Sequence, residues 1–242
     1  MIVDQLVVVA DAHLGATPVA DEEAFLAFLD AVPSLGDSLL LLGDIYDFWF
    51  TYRRLIPRHC IRVTARIVEL ARRLPILMVG GNHDRWGDTF WGWETGVTFN
   101  PRSLRFAVAG RTVVAVHGDG LHEERPVAAM LNRALDTRLV IAAFNAMPTV
   151  MGFRIAKRLG HNPAFAAAHP EIVEEAATRQ LGWAKRRLSR DPEIDLLLMG
   201  HTHRCATLEV APGRLYVNPG PWLDERRYAV VTASDICLQT FG

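Results

Sequence analysis

The chain alternates short apolar runs with polar clusters, and the apolar runs have the length and composition of buried β-strands. Five such runs occur before residue 200, at Ile2–Ala10, Ser38–Leu42, Ile76–Val79, Thr112–Val116 and Asp195–Met199. Each one ends at a cluster that contains Gly, Asp or His. Buried strands of parallel sheets read as near-continuous apolar runs, and their carboxyl ends commonly hold chemistry. The pattern therefore predicts a buried sheet with a polar, candidate functional edge.

Helical periodicity fills the intervals between the early strands. We predict helices over Asp21–Ala31 and Pro57–Leu74. In the second helix, apolar residues at helical spacing predict one buried face. They are Ile61, Ala65, Val68 and Ala71. Alternation of strands and helices predicts an α/β fold, whereas turns and short β runs from Cys205 to Phe241 predict antiparallel hairpins that complete a second sheet.

The segment from Arg125 to Arg190 interrupts this alternation. Helix formers dominate it, with prolines as breaks, and we predict a helical insertion at about 125–190 within a single domain spanning 1–242. The segment holds eleven basic and four acidic residues, a net charge of +7, so the remainder carries -8 because the whole chain carries -1. This asymmetry predicts that the insertion faces an anionic group or a membrane surface.

Composition narrows the class of protein. Half of the residues are hydrophobic, 22% are charged and the net charge is -1, which excludes a disordered tail or a globally basic nucleic-acid binder. The three cysteines form no CxxC pair, so no disulfide framework or zinc ribbon is predicted. We find no signal-peptide pattern and no apolar run of roughly eighteen residues. A cytoplasmic protein without an obligate protein partner is therefore expected.

Five short motifs carry the candidate chemistry, and each follows an apolar run. In chain order they are Asp11-Ala12-His13, Gly43-Asp44-Ile45-Tyr46-Asp47, Gly81-Asn82-His83-Asp84, His117-Gly118-Asp119 and Gly200-His201-Thr202-His203. Strand ends converge at one edge of a sheet, so these side chains are expected to meet. Carboxylates, an amide and imidazoles suit manganese, iron or zinc. Two such cations about 3.5–4 Å apart, bridged by a carboxylate, hydrolyse phosphoesters.

The order of these motifs is similar to that of the calcineurin-like metallophosphoesterase superfamily, over the chain from Asp11 to His203. The resemblance implies a four-layer α/β/β/α sandwich with a helical lid insertion. It also implies two divalent ions, with manganese expected first and iron or zinc as alternatives. Residue by residue, it gives one ion to Asp11, His13, Asp44 and His203. It gives the other ion to Asp44, Asn82, His117 and His201, so that Asp44 bridges the pair.

The residues next to the predicted ligands also resemble the family pattern. His83 is expected to stabilise the phosphoryl transition state or to protonate the leaving oxygen, and Asp84 is expected to orient it. Arg85 either contacts a phosphate or is an exposed arginine. Asp47 is interpreted as a turn cap, ahead of a functional role. The tryptophans that follow, Trp86, Trp91 and Trp93, are expected to pack in the core or the lid, ahead of stacking on a base.

Within the superfamily, the chain most resembles the UDP-2,3-diacylglucosamine diphosphatase family of the lipid A pathway. The resemblance rests on the segment from Gly43 to Trp49, on the last His-containing motif and on an insertion of similar length. It implies that an acylated sugar nucleotide is cleaved to UMP and a diacylated sugar phosphate, with the apolar stretch Leu139–Phe153 as the lid. Peripheral contact with the inner face of the membrane is a further expectation. The implied substrate contacts are Trp49, Arg85, Arg154, Lys157 and Arg158.

Two departures from that family leave alternatives open. Its best-known members have Arg where this chain has His83, and the residues after Asp119 also differ. A phosphohydrolase that acts on another nucleotide, a cyclic nucleotide or a phosphoprotein is the nearest alternative. A scaffold that has lost its metals would lack one or more ligands, whereas this chain keeps the full set.

Overall fold

A computed structural model of the chain describes residues 3–15, 19–51, 55–58, 61–87, 90–121, 137–148, 151 and 170–242. The strands are β1 Leu6–Val9, β2 Ser38–Leu42, β3 Ile76–Val79, β4 Thr98–Asn100, β5 Ser103–Val108, β6 Arg111–Val116, β7 Leu196–Met199, β8 Ala206–Ala211, β9 Arg214–Asn218, β10 Arg227–Val231 and β11 Ile236–Thr240. The helices are α1 Val19–Leu35, α2 Ile61–Ala71, α3 Arg138–Ala146 and α4 Pro170–Arg190, with a π-helical turn at Phe90–Glu94.

The described strands form two sheets. The first has the order β11-β10-β1-β2-β3-β4, and β1 to β4 run parallel in it. The second has the order β5-β6-β7-β9-β8, with β6, β7 and β9 parallel. Parallel strands present their carboxyl ends at the same edge, so the polar clusters that follow β1, β2 and β3 lie together. The clusters after β6 and β7 share an edge of the second sheet in the same way.

The two sheets pack face to face, and helices cover their outer faces. Successive side chains along a strand point to opposite faces of its sheet. Leu6 and Val8 of β1 therefore lie in the core between the two sheets, to which the second sheet contributes Val113 and Leu196. Alternate strand residues of the first sheet pack on α1 and α2. The outer face of the second sheet packs on α4, for example at Leu188. The predicted α/β/β/α sandwich is therefore confirmed.

The buried face of α2 differs from the prediction. The structure buries Val63, Ile67 and Leu70, while Ile61 is 48% exposed and Ala65 is exposed. The other two predicted residues, Val68 and Ala71, are half-buried, and Ala71 packs against the core. Both sets of residues have helical spacing, so periodicity alone did not separate them. The buried set carries more apolar surface than the alanine-containing set, and burial favours the larger area.

The C-terminal hairpins divide between the sheets. The first, β8–β9, extends the second sheet as predicted, but β10–β11 joins the first sheet, where β10 pairs antiparallel with β1. The expectation that both would complete the second sheet was wrong. In β10, Ala229 and Val231 join the core between the sheets and Tyr228 and Val230 join the core under the helices, so both faces are buried. The hairpin also covers what would otherwise be the open edge at β1.

The predicted insertion is described only in part. α3 and α4 lie within it, whereas Arg154, Lys157 and Arg158 lie outside the described residues. The single-domain boundary and the extent of the insertion stay predictions. Within the described part of the chain, no helix is both long enough and apolar enough to cross a membrane.

The buried face of α2 gives a test of the fold. Ile67→Ala should lower the free energy of unfolding by about 2–5 kcal/mol, because it opens a cavity under the first sheet. The matched change Ile61→Ala removes a half-exposed side chain on the same helix and should cost about 0.5 kcal/mol or less. Urea denaturation followed by circular dichroism measures both. A larger loss at Ile61 than at Ile67 would contradict the orientation of α2.

Candidate metal centre

Residues of the first, second and fifth motifs adopt a backbone conformation that side chains other than glycine rarely take. They are Asp11, His13, Asp44, His201 and His203, with φ between 46° and 71°. A non-glycine residue in the left-handed region costs about 1–3 kcal/mol and persists only where the surroundings fix it. Such turns reverse the chain sharply at the end of a strand. They let several predicted ligands point into one small volume.

Two glycines allow the motif loops to approach each other. Gly43 has φ 85°, and a Cβ there would collide with the ring of His117. A Cβ on Gly81 would collide with the carboxylate of Asp44. The turns after β2 and β3 therefore need glycine at these positions for the predicted ligands to meet.

A first group of donor atoms surrounds one point between β1 and the last motif. Atoms of Asp11, His13 and His203 lie within 4.8 Å of one another. His203 Nε2 is 3.5 Å from Asp11 Oδ1, and His13 Nε2 is 3.3 Å from His203 Nε2 and 4.0 Å from Asp44 Oδ2. Two donors that share a cation at about 2.1 Å lie about 3–4 Å apart. The spacing fits one divalent cation.

A second group lies on the other side of Asp44. Atoms of Asp44, His117 and His201 lie within 4.8 Å of one another, and His117 Nε2 is 3.2 Å from Asp44 Oδ2. Asn82, in the loop after β3, has an amide oxygen that is buried and has no hydrogen-bond partner among the described residues. A buried polar atom without a partner is costly, and a cation would satisfy it. Asp44 lies in the second group and also forms a cluster with His13 and His83, whose atoms lie within 4.8 Å of one another, so its carboxylate stands beside both groups, as a shared ligand would.

Burial and charge prepare these side chains to bind cations. Burial lowers the pKa of His13 to about 3 and that of His201 to about 4, so both imidazoles stay neutral, the form that ligates a metal. Burial opposes ionisation of Asp44, but nearby imidazoles, His117 above all, hold its pKa well below the usual value. In turn, Asp44 raises the pKa of His117 despite burial. A cation bound at His117 would displace that proton.

The imidazole of His83 lies at the rim of these groups. His83 Nε2 is 3.9 Å from Asp44 Oδ2, and its Nδ1 donates to the backbone carbonyl of Asp47 at 2.6 Å. The Asp47 carboxylate lies 3.8 Å from the same nitrogen. The backbone carbonyl of Asp47 therefore fixes the ring, and the turn-cap interpretation of the Asp47 side chain stays a prediction.

Asp84 has a different role from the one predicted. Its carboxylate accepts backbone N–H groups of Gly81 at 2.8 Å, Ile45 at 2.8 Å and Asp44 at 3.2 Å. The expectation that Asp84 orients His83 was wrong, since Asp84 instead ties the loop after β3 to the loop after β2. Burial and then Asp44 raise the pKa of Asp84 to about 6, although those backbone donors oppose the shift. Its position makes it a structural clamp between two predicted ligand loops.

Arg85 joins another pair of loops. Its guanidinium forms an ion pair with Asp119, and its Nε donates to the carbonyl of Gly81 at 3.3 Å. Only 10% of its side chain is exposed, which rules out the exposed-arginine interpretation. The pair links the loop after β3 to the loop after β6. A phosphate contact by Arg85 stays a prediction.

The aromatic residues near the site belong mainly to the core. Trp49 is completely buried, packs on Tyr46 and Trp91 at centroid distances of 4.7 Å and 4.9 Å, and donates its indole N–H to Thr51. A buried ring offers no surface to a substrate, so the predicted substrate contact of Trp49 was wrong. Trp91 is buried as predicted, whereas Trp93 is 88% exposed.

Three residues that support the site, Gln180, Asn218 and Leu223, lie outside the five motifs. The carbonyl of Gly200 accepts side-chain amide groups of Gln180 and Asn218, each at 3.0 Å. The backbone N–H of Leu223 donates to the carbonyl of Asp11 at 3.0 Å. Asn218 is the last residue of β9, so it shares with the five motifs the pattern of a polar residue at the end of a strand. Gln180 lies in the middle of a helix, where no local signal indicates it.

Two relatives are named UDP-2,3-diacylglucosamine hydrolase. The one from Porphyromonas gingivalis is 25% identical and covers 96% of this chain and 95% of its own. The one from Escherichia coli O81 is 26% identical and covers 96% and 97%. The solved structure of a novel archaeal phosphodiesterase matches with a TM-score of 0.50 and 11% identity, over 97% of this chain and 98% of its own, and bears on the fold alone.

The sequence model of the calcineurin-like phosphoesterase family matches residues 5–205. That range contains all five motifs and both groups of donor atoms. The family implies divalent metal ions, and the clustered carboxylates and imidazoles fit them. The chain therefore belongs to the calcineurin-like phosphoesterase family and is a metal-dependent phosphoesterase.

Proposed function

We propose that this phosphoesterase hydrolyses the pyrophosphate bond of UDP-2,3-diacylglucosamine to UMP and 2,3-diacylglucosamine 1-phosphate, a step of lipid A biosynthesis. The observation that carries the proposal is the extent of the match to proteins named UDP-2,3-diacylglucosamine hydrolase. It covers 96% of this chain and 95–97% of theirs, so it includes the chain between the fourth and fifth motifs. A likeness confined to the shared metal motifs would not reach that segment.

The described part of the insertion supports an acyl-chain site. Phe144 of α3 lies with its ring centroid 4.6 Å from that of Phe50 and 6.1 Å from that of Phe48, just after the loop that carries Asp44. On the same helix, Leu139 is 83% exposed. Apolar side chains left in water beside a candidate site are typical of a surface that binds an apolar ligand. We infer that α3 forms part of the lid over the acyl chains.

The proposed ligand sets extend the two groups of donor atoms, adding Asp44 to the first and Asn82 to the second. Asp11, His13, Asp44 and His203 are the proposed ligands of one cation. Asp44, Asn82, His117 and His201 are the proposed ligands of the other. Manganese is the proposed metal, with iron or zinc as alternatives, since oxygen and imidazole donors suit all three. When bound, a cation pair supplies Lewis-acid chemistry that lowers the pKa of water and neutralises phosphoryl charge.

The protein's own residues then orient the substrate and move a proton. His83 is proposed as the acid that protonates the leaving oxygen or stabilises the transition state, with its ring fixed by Asp47. Arg85 is proposed to contact a phosphate while Asp119 holds its guanidinium. Arg154, Lys157 and Arg158 are proposed to attract the charged headgroup.

The proposed substrate also suggests a location for the enzyme in the cell. A diacylated sugar nucleotide partitions into a membrane and keeps its charged groups at the surface. A cytoplasmic enzyme would meet it at the inner face, and apolar residues such as Leu139 beside a basic insertion suit that contact. Peripheral association is therefore part of the proposal.

A shared ligand predicts an all-or-none loss of metal. Asp44→Ala should bind neither cation firmly and should lose hydrolysis, because its carboxylate is the proposed ligand of both cations. Asp47→Asn, in the same loop, should keep two cations. Elemental analysis of metal-replete protein measures the stoichiometry. Hydrolysis by Asp44→Ala at the wild-type rate, or one cation per wild-type chain, would contradict the bridge.

If His83 is an acid and not a metal ligand, its substitution should lower activity without lowering metal content. His83→Ala should lower turnover by roughly a hundredfold or more and leave two cations bound. His13→Ala is the matched control, since it removes a proposed ligand and should lose metal and activity together. Loss of metal from His83→Ala would make His83 a ligand instead, a placement within reach of Asp44.

The substrate proposal is tested by comparing two substrates. Wild-type enzyme in ¹⁸O-labelled water should convert UDP-2,3-diacylglucosamine to labelled UMP, because the resemblance implies attack on the uridine-side phosphorus. Phe144→Asp should abolish that reaction and spare a small chromogenic phosphodiester, since it places a charge in the proposed lid and leaves the metals untouched. Phe153→Asp, outside the described residues, carries the same expectation, and Phe144→Leu should keep both activities.

Two results would reject the substrate proposal. Wild-type enzyme that ignores the lipid and hydrolyses soluble nucleotides or cyclic nucleotides would favour the alternative phosphohydrolase. Equal loss of both activities in Phe144→Asp would mean damage to the fold or the metal site, and unchanged lipid hydrolysis would put the acyl chains elsewhere.

A further inference from the structure

A buried amide lies on the inner face of α4, in line with its apolar contacts. That face runs from Leu188 through Ala184 to Gln180 at four-residue spacing, and all three side chains are completely buried. Leu188 and Ala184 pack on apolar residues of the second sheet. Gln180 brings a polar group to a position where the stripe predicts an apolar one. Because burying an amide is costly unless it is bonded, its partners indicate its role.

The amide nitrogen of Gln180 has hydrogen-bond partners in the loop after β7 and in β9, and its oxygen has none among the described residues. Gln180 Nε2 donates to the carbonyl of Gly200 at 3.0 Å and to a tyrosine hydroxyl at 3.2 Å. A Cβ added to Gly118 would come within 2.8 Å of Gln180 Oε1, so this oxygen lies against the neighbouring loop. Gly118 follows His117, and Gly200 precedes His201. The amide is therefore held between the loops that carry two proposed ligands of one cation.

These loops need external support. His201 has φ 71°, a strained conformation for a side chain other than glycine. The N–H of Gly200 donates to the carbonyl of His117 at 2.9 Å, so a shift of either loop moves the other. Fixing the Gly200 carbonyl from outside the sheet thus fixes the direction from which both imidazoles enter the site.

The geometry points to Gln180 as a positioning residue for the cation bound by Asp44, Asn82, His117 and His201. It anchors the turn before His201 to α4, beside the loop after His117, and it makes occupancy of this cation depend on the position of α4. The inference rests on the ligand assignment of the proposed function. The other cation also takes His203 from this turn, and the N–H of His201 donates to Asp11 at 3.0 Å. It still keeps Asp11 and His13, which lie just after β1 of the first sheet, so its affinity should change less.

The test is a Mn²⁺ titration of metal-free full-length protein, followed by electron paramagnetic resonance. Free Mn²⁺ reports each binding step, and a spin-coupled signal reports the pair. Gln180→Leu keeps the side-chain size and removes the donor. It should bind its first Mn²⁺ within about twofold of wild type and its second about 10–100-fold more weakly, as for residues that orient metal ligands. Gln180→Met keeps a similar length, has no donor at this position and carries the same expectation.

Leu188→Ala is the matched control on the same face of α4. It opens a cavity under the helix, so it should lower the melting temperature and leave both Mn²⁺ affinities unchanged. If both Gln180 variants bind their first and second Mn²⁺ as tightly as wild type does, the inference is overturned. Equal weakening of both steps, or the same weakening in Leu188→Ala, would overturn it too, because the effect would then be general destabilisation. A wild-type chain that binds one Mn²⁺ would reject the ligand assignment itself.

Discussion

The burial of the Asp44 carboxylate among imidazoles is the constraint on which the rest of the structure depends. A carboxylate removed from water loses several kcal/mol of solvation, of order 20 kcal/mol in the limiting case, unless other groups replace the solvent. Here His117 lies 3.2 Å from it and His13 and His83 lie about 4 Å away. His117, whose pKa this carboxylate raises, compensates part of that loss. Divalent cations between these groups would compensate more of it, so the arrangement suits bound metal.

Holding that arrangement requires the strained loops to be fixed from several directions. Backbone bonds join the turns after the strands to each other, such as His13 N–H to the carbonyl of Asp44 at 2.9 Å. Asp84 clamps the loops after β2 and β3 through backbone N–H groups, and the ion pair of Arg85 with Asp119 joins the loops after β3 and β6. Gln180 adds a connection from the outer helix. The conformational strain of the loops is offset by these bonds and by the sandwich beneath them.

The two-sheet core supplies the rigidity that the loops lack. The residues of β1, β2, β3 and β7 are all buried, because each of these strands packs between its neighbours and against a layer on either side. A fully buried leucine or valine contributes about 1.5–3 kcal/mol. A centre built from strained turns and buried charge therefore lies at the edge of the most stable part of the molecule, which is where a site that gives up stability for chemistry is expected.

Local sequence was enough to predict the central strands, the α/β class and the five motifs, whose residues meet where the edges of the two sheets adjoin, because continuous apolar runs and strand-end chemistry are local properties of the chain. The tertiary structure selected the buried face of α2, the sheet that takes β10 and β11, and the core position of Trp49. It also decided that Asp84 contacts backbone instead of His83 and that Gln180 reaches Gly200. These features depend on contacts between residues far apart in the chain. Local sequence allows several arrangements of each element. The area buried in packing, the pairing of strand edges and the hydrogen bonding of buried polar groups select one of them.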